Sequence, residues 1–182
     1  MLDGIIFVVI TAAAIYVSRA SLRAPGSHGF YRFFVWECLL ILFLLNMRVW
    51  WDAPFSAHQS ISWLLLLVSL LLVFPSLYQL RRQGKADPDR ADPALLTMEK
   101  TSVLVTTGVY RYIRHPLYSS LLFLGWGIFF KAPAWGGAVL AAVATLCLLL
   151  TARAEERENL HYFGPAYRAY MARTKMFVPF LF

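Results

Sequence analysis

Two stretches of the chain carry side chains whose types and spacing suit chemistry. The first is Tyr110-Arg111-Tyr112-Ile113-Arg114-His115-Pro116-Leu117-Tyr118. Proline has no N–H and a preset φ, so it suits the first position of a helix. A helix should start at Pro116, with His115 at or just before its cap. Its first turn offers unpaired N–H groups and positive potential, which accommodate a carboxylate or phosphate. Arg111 and Arg114 add cationic charge, and Tyr110, Tyr112 and Tyr118 add ring faces and hydroxyls. The second stretch begins with Glu155-Glu156, directly after an apolar run. If the helix continues there, Thr151, Glu155, Asn159 and Tyr162 share one face. Arg153 and Arg157 occupy another, and Glu156, Leu160 and Phe163 a third. A carboxylate near a membrane interface usually has a partner. Each stretch alone also has a plainer reading. The first can be an interfacial belt of arginines and aromatics. The second can be a solvated helix with Glu/Arg pairs.

The elements that must position these residues follow from composition. Of 182 residues, 59% are hydrophobic and 15% charged, against about 45–50% and about 25% in soluble domains. So small a chain has too much surface for that excess to be a water-soluble core. Disorder is excluded by the same figures. The two cysteines, Cys38 and Cys147, sit inside apolar runs and make no disulfide framework. The length allows a single membrane domain over 1–182.

Crossing about 30 Å of hydrocarbon takes roughly 20 apolar residues. The pattern predicts an all-α bundle of five spans, near 4–18, 33–51, 61–80, 117–130 and 135–152. The first three fill 1–80. Region 81–182 holds the polar loop from Arg81 to Asp92, a late hairpin made of the short fourth span and the fifth, and amphipathic helices at the end. Pro75 should kink the third span. Gly164-Pro165 should separate the last two helices. Glu37, Asn46 and Arg48 are the polar residues of the second span, read as structural pairs ahead of cavity-facing groups. The first segment lacks the positive n-region of a signal peptide, and neither end carries a lipidation motif.

Fifteen of the 17 basic residues fall in the loops after spans one, three and five; only Arg48 and Lys131 lie on the other side. Lysine and arginine mark cytoplasmic loops. This predicts an outer N-terminus and a cytoplasmic C-terminus, by default in a bacterial inner membrane. The net charge of +7 is then explained by topology and anionic lipid, and no nucleic-acid partner is expected.

Taken together, Thr-Gly-Val-Tyr-x-x-x-Arg-His-Pro-x-Tyr from Thr107, a helical hairpin, and Glu-Glu-x-x-x-x-x-x-Phe-Gly-x-x-Tyr-x-x-Tyr from Glu155 resemble the isoprenylcysteine carboxyl methyltransferase family. That family belongs to a wider group with the membrane phospholipid methyltransferases. The resemblance covers roughly 102–179. It implies a membrane-embedded methyltransferase that uses S-adenosylmethionine and needs no metal. The cofactor positions it implies are Ser102, Val103, Leu104 and Val105, then Tyr110, His115, Pro116, Leu117 and Tyr118, and finally Glu155. The residues agree with that ligand: a carboxylate for the helix N-terminus, an amine and ribose hydroxyls for Glu155, an adenine for apolar and aromatic walls. Two positions depart. The family's substrate arginine, four residues before the glutamate, is Thr151 here, with Arg153 two residues from Glu155. An upstream polar residue is replaced by Leu95. A prenylated protein's carboxylate is therefore not the expected substrate.

The expected reaction is in-line transfer of the methyl group to a lipophilic acceptor: carboxylate, amine, thiol or hydroxyl. Holding donor and acceptor at near-attack distance and excluding water drive such a step. Arg153 or Arg114 is the candidate to orient an anionic acceptor. Two other readings are a nicotinamide-dependent membrane reductase of the sterol type and a non-catalytic assembly or lipid-binding protein. Oligomeric state is not legible.

Overall fold

A computed structural model describes residues 2–84 and 102–180. Lys85, Arg90, Leu95 and Lys100 lie outside them. Six α-helices follow in order: α1 (Leu2–Leu22), α2 (His28–Asn46), α3 (Ala57–Gln83), α4 (Pro116–Phe129), α5 (Trp135–Phe163) and α6 (Pro165–Met171). Short 3₁₀ turns occupy Met47–Val49 and Gly108–Arg111. Among the described residues the remaining backbone pairing is a single parallel bridge between Ile113 and Lys175. The all-α expectation holds. By length and composition α1, α2 with its 3₁₀ turn, α3 and α5 can each cross a bilayer, and the chain is an integral membrane protein.

Neighbouring helices run antiparallel. Arg48, just past α2, meets Asp3 at the start of α1 at 2.7 Å. Thr11 donates to Glu37 between the same helices, and Asn46 donates to the Leu42 carbonyl. All three polar residues of the second span thus have structural partners. Ser62 and Ser69 on α3 donate to the carbonyls of Gly127 and Ser120 on α4, at 2.7 and 2.8 Å. These two helices approach closely because Gly127 has no side chain. A Cβ there would lie 2.9 Å from Leu66 Cδ2. The apolar core gathers Val35, Leu39, Tyr118, Leu148 and Ala152 from α2, α4 and α5.

Several boundaries differ from expectation. α1 runs to Leu22 rather than Ser18, and α2 begins at His28, capped by Ser27, whose hydroxyl accepts from the Phe30 N–H. α3 continues to Gln83, so Arg81 and Arg82 are helical and not loop. It also passes unbroken through Pro75. Ser76 donates its hydroxyl to the Leu72 carbonyl, in the turn that the missing proline N–H weakens.

Two helix lengths create the site. α5 has 29 residues, about 43 Å at 1.5 Å per residue, and so overshoots the hydrocarbon by several turns. Trp135 marks its start and is fully exposed, as interfacial tryptophans are. α4 has only 14 residues, about 21 Å. Its last residue, Phe129, lies at the same end as Trp135, so its first, Pro116, lies well inside the far surface. The space below it is filled by the 102–115 segment, α6 and the strap 172–180.

Candidate active site

The recess left by α4 holds a cleft of about 680 Å³ that is partly open to solvent. Its floor is the start of α4. His115 caps that helix, Pro116 is its first residue, and the N–H groups of Leu117 and Tyr118 have no acceptor within the helix. One wall is the polar extension of α5, with Glu155, Asn159 and Phe163 one below another. This is the i, i+4, i+8 face that appears once α5 continues past Ala152. The apolar walls include Leu80, Leu104, Val105 and Leu117, and α6 adds Tyr167 and Tyr170. The rings of Phe163 and Tyr167 are nearly parallel, 21° apart.

The charged groups form one network. His115 Nδ1 lies 3.6 Å from Glu155 Oε2, and its Nε2 lies 3.3 Å from Glu156 Oε1. Arg114 Nε donates to the same Glu156 oxygen at 2.6 Å. Its other end donates to the carbonyls of Met171 and Thr174. Glu156 and His115 are buried, whereas the Glu155 side chain stays about one-fifth exposed, facing the cleft. Burial alone would push the His115 pKa down. Hydrogen bonds and charge from Glu155 and Glu156 outweigh it and hold the imidazole above its ordinary value. Tyr118 stacks its ring on His115 at 15° and hydrogen bonds to Glu155. Burial pushes the phenols of Tyr167 and Tyr170 up, so both stay neutral donors. The Tyr170 hydroxyl donates to the Tyr110 carbonyl at 2.7 Å.

The strap locks the floor. The N–H groups of Arg114 and His115 donate to the carbonyls of Lys175 and Met176, and Ser119 donates to that of Phe177. Phe177 is buried with its ring edge toward His115. On the far side of α5, His28 Nδ1 lies 2.5 Å from Glu158 Oε2, tying the start of α2 to the extension.

Of the residues singled out in the sequence, Leu104, Val105, Tyr110, Arg114, His115, Pro116, Leu117, Tyr118 and Glu155 all line this one cleft. Ser102 and Val103 are exposed and stand off its lining. Arg153 is likewise exposed, on another face of α5. Arg114 reaches the cleft, but it donates hydrogen bonds to Glu156 and to the Met171 and Thr174 carbonyls. Sequence reasoning missed Glu156 as the buried link between His115 and Arg114. It also missed Asn159, Phe163, Tyr167 and Tyr170 as lining, although the face shared by Glu155 and Asn159 was a usable signal. Nothing in the sequence pointed to the strap.

The donor set fits S-adenosylmethionine. A helix N-terminus suits its carboxylate, Glu155 and Asn159 suit its amine and ribose hydroxyls, and the Phe163 and apolar walls suit its adenine. Among the described residues no group of three or more metal-ligating side chains is present.

The family model for phospholipid methyltransferase matches residues 58–164, more than half of the chain. Methanethiol S-methyltransferase 1 of Bradyrhizobium diazoefficiens is 33% identical over 73 residues, 39% of this chain and 24% of that protein. Methanethiol S-methyltransferase of Crocosphaera subtropica is 33% identical over 79 residues, 42% of this chain and 29% of that protein. The aligned stretch thus spans about a quarter of these relatives. No solved structure matches.

Proposed function

Because the chain belongs to the phospholipid methyltransferase family, we propose that it is a membrane methyltransferase that moves a methyl group from S-adenosylmethionine to an uncharged, lipophilic acceptor by direct in-line displacement. One observation carries this reading. Glu155 and the proline-headed start of α4 face the same cleft, with His115 Nδ1 only 3.6 Å from the Glu155 carboxylate.

S-adenosylmethionine, when bound, would supply an electrophilic methyl group on a sulfonium, whose S–CH3 bond would break as the acceptor–CH3 bond forms, with S-adenosylhomocysteine leaving and the acceptor's proton passing to solvent. The start of α4 would hold its carboxylate with the N–H groups of Leu117 and Tyr118. Glu155, oriented by His115 and Tyr118, would hold amine or hydroxyl donors. Leu104, Val105, Phe163 and Leu117 exclude water from the cleft. His115 is occupied between two carboxylates, so its task is positioning and not proton removal. Among the described lining residues there is no cysteine, serine or lysine to carry the group, which supports direct transfer.

The acceptor class follows from charge. Among the described lining residues the cations are Arg114 and, when protonated, His115, and Glu155 and Glu156 already pair with them. Among the described lining residues an anionic acceptor would find no side-chain cation that is not already paired, and only the donor's sulfonium to meet it. A small thiol, the substrate type in the relatives' names, satisfies this demand. The N-terminus outside and the cleft on the cytoplasmic side of a bacterial inner membrane complete the proposal, since the soluble donor is then on the cleft's side.

The test is labelled-methyl transfer by the full chain in native membranes, with methanethiol, a long-chain thiol, a lipid amine and a fatty acid as separate acceptors. Label should appear on neutral acceptors and not on the fatty acid. Transfer to the carboxylate alone, or to nothing, overturns the reading.

A further inference from the structure

The segment 108–115 has two sides. Tyr110, Arg114 and His115 line the cleft, whereas Val109, Arg111, Tyr112 and Ile113 line a second pair of cavities behind it. One of these, about 560 Å³, carries three cations: Arg111, Arg173 and Lys175. The other, about 790 Å³, is walled by Leu72, Val109, Ile113 and Pro179. Arg111 and Tyr112 line both, so the basic hollow and the more apolar one adjoin. Neither has a carboxylate among its described lining residues. All three cations are exposed and line one hollow, a concentration of positive charge that attracts an anion.

We propose that these two cavities together bind one anionic phospholipid of the surrounding bilayer, with its phosphate among Arg111, Arg173 and Lys175 and an acyl chain along Leu72, Val109, Ile113 and Pro179. Charge complementarity selects the headgroup. The apolar chamber selects a lipid over free phosphate, which would leave it without a purpose. The location agrees. Leu71, Phe74 and Tyr78 of α3 project outward next to Leu72, where a helix meets acyl chains. Tyr112 and the highly exposed Phe180 flank the basic hollow, with ring centroids 6.3 Å apart and planes tilted by 59°. Aromatic side chains of this kind settle at the headgroup level.

The cleft floor does not depend on these side chains. The strap is joined to it through backbone atoms: the Lys175 carbonyl accepts from the Arg114 N–H, and the Lys175 N–H donates to the Tyr112 carbonyl.

The experiment uses the purified full chain in detergent and native mass spectrometry with phosphatidylglycerol, phosphatidylcholine or millimolar inorganic phosphate. The native chain should retain one phosphatidylglycerol at least about ten-fold better than phosphatidylcholine. The variant Arg111→Gln/Arg173→Gln/Lys175→Gln should fall to the phosphatidylcholine level while S-adenosylmethionine affinity, measured by calorimetry, stays unchanged. Equal retention of the two lipids, an unaffected variant, or displacement by inorganic phosphate overturns the proposal. The lipid comparison on the native chain decides it even if the variant folds poorly. Because cofactor binding is read separately, failure of the methyltransferase reading is distinguishable from failure of this one.

Discussion

The two ends of the bundle each bury positive charge, and they treat it in opposite ways. At the end where α4 meets α5, Lys131 is almost wholly buried. Its Nζ lies 2.9 Å from Gln59 Oε1 and 3.1 and 4.8 Å from the ring centroids of Trp63 and Trp50. These neutral partners meet its charge with π-faces and an amide dipole, and among the described residues no carboxylate pairs with it. At the other end Arg114 and His115 face Glu155 and Glu156, and one of the two carboxylates still has an open side toward a cleft. The first arrangement is closed and holds the start of α3 to the α4–α5 turn. The second retains capacity for one more cationic or hydroxyl partner. Burial of a charge therefore does not mark a ligand site; an unfilled share of its electrostatic partnership beside a cavity does.

The deepest cut into this contrast is Glu156→Ala. Removing one partner of a buried ion pair costs about 3–5 kcal/mol, because the other charge is left uncompensated. Denaturant unfolding in micelles should show that loss. A change under about 1 kcal/mol would mean that Arg114 is satisfied by the strap carbonyls alone, and the cleft end would be no tighter than the other.

Next in size is Glu155→Gln, which keeps the shape and removes the charge. A hydrogen bond to a charged group is worth about 1.5–3 kcal/mol, so S-adenosylmethionine affinity should fall about 10- to 150-fold. The unfolding midpoint should move less than in Glu156→Ala. Calorimetry and thermal unfolding on the same sample separate the two effects, and unchanged affinity would remove Glu155 from the binding role.

How much of this was legible in the sequence differs between the same two ends. The cleft could be read because its residues lie in two compact stretches, and because Pro116 and the continued α5 periodicity place them by local rules. The five helices were legible from apolar run lengths, but their ends were not. α1 and α3 extend beyond their apolar runs because helical hydrogen bonding continues through Arg19, Arg81 and Arg82. The link between Gln59 and Lys131 spans 72 positions and has no local signature. The strap was illegible for a related reason. It works through the backbone carbonyls of Thr174, Lys175, Met176 and Phe177, which any sequence supplies.

Lys131→Met tests the closed end. It keeps the stem against Trp50 and Trp63 and leaves Gln59 Oε1 without its donor. The lost hydrogen bond and cation–π contact together should lower stability by about 1–2 kcal/mol. Cofactor affinity should not change, since nothing at this end reaches the cleft. A drop in affinity would show that the two ends are coupled along α3 and α4, and the contrast between a structural and a binding charge would fail.

The smallest effect is one of pH, and it belongs to the cleft end through His115. Its folded-state pKa is raised above the ordinary 6.5 by Glu155 and Glu156, against the opposing push of burial. Below pH 6.5 the imidazole is protonated both folded and unfolded, and its ion pairs contribute fully. As pH rises above that value the unfolded chain releases the proton first, so folded-state stability declines until the raised pKa has been passed. The slope from one such group is at most about 1.4 kcal/mol per pH unit. The unfolding midpoint should therefore fall as pH rises above 6.5 in the native chain, and His115→Asn should flatten that fall. Lys131→Met should keep it, because burial lowers the pKa of that lysine and its linkage can only have the opposite sign. Parallel profiles for the native chain and His115→Asn would mean that the two carboxylates do not hold the imidazolium, and Glu155 would then be oriented by Tyr118 and Asn159 alone.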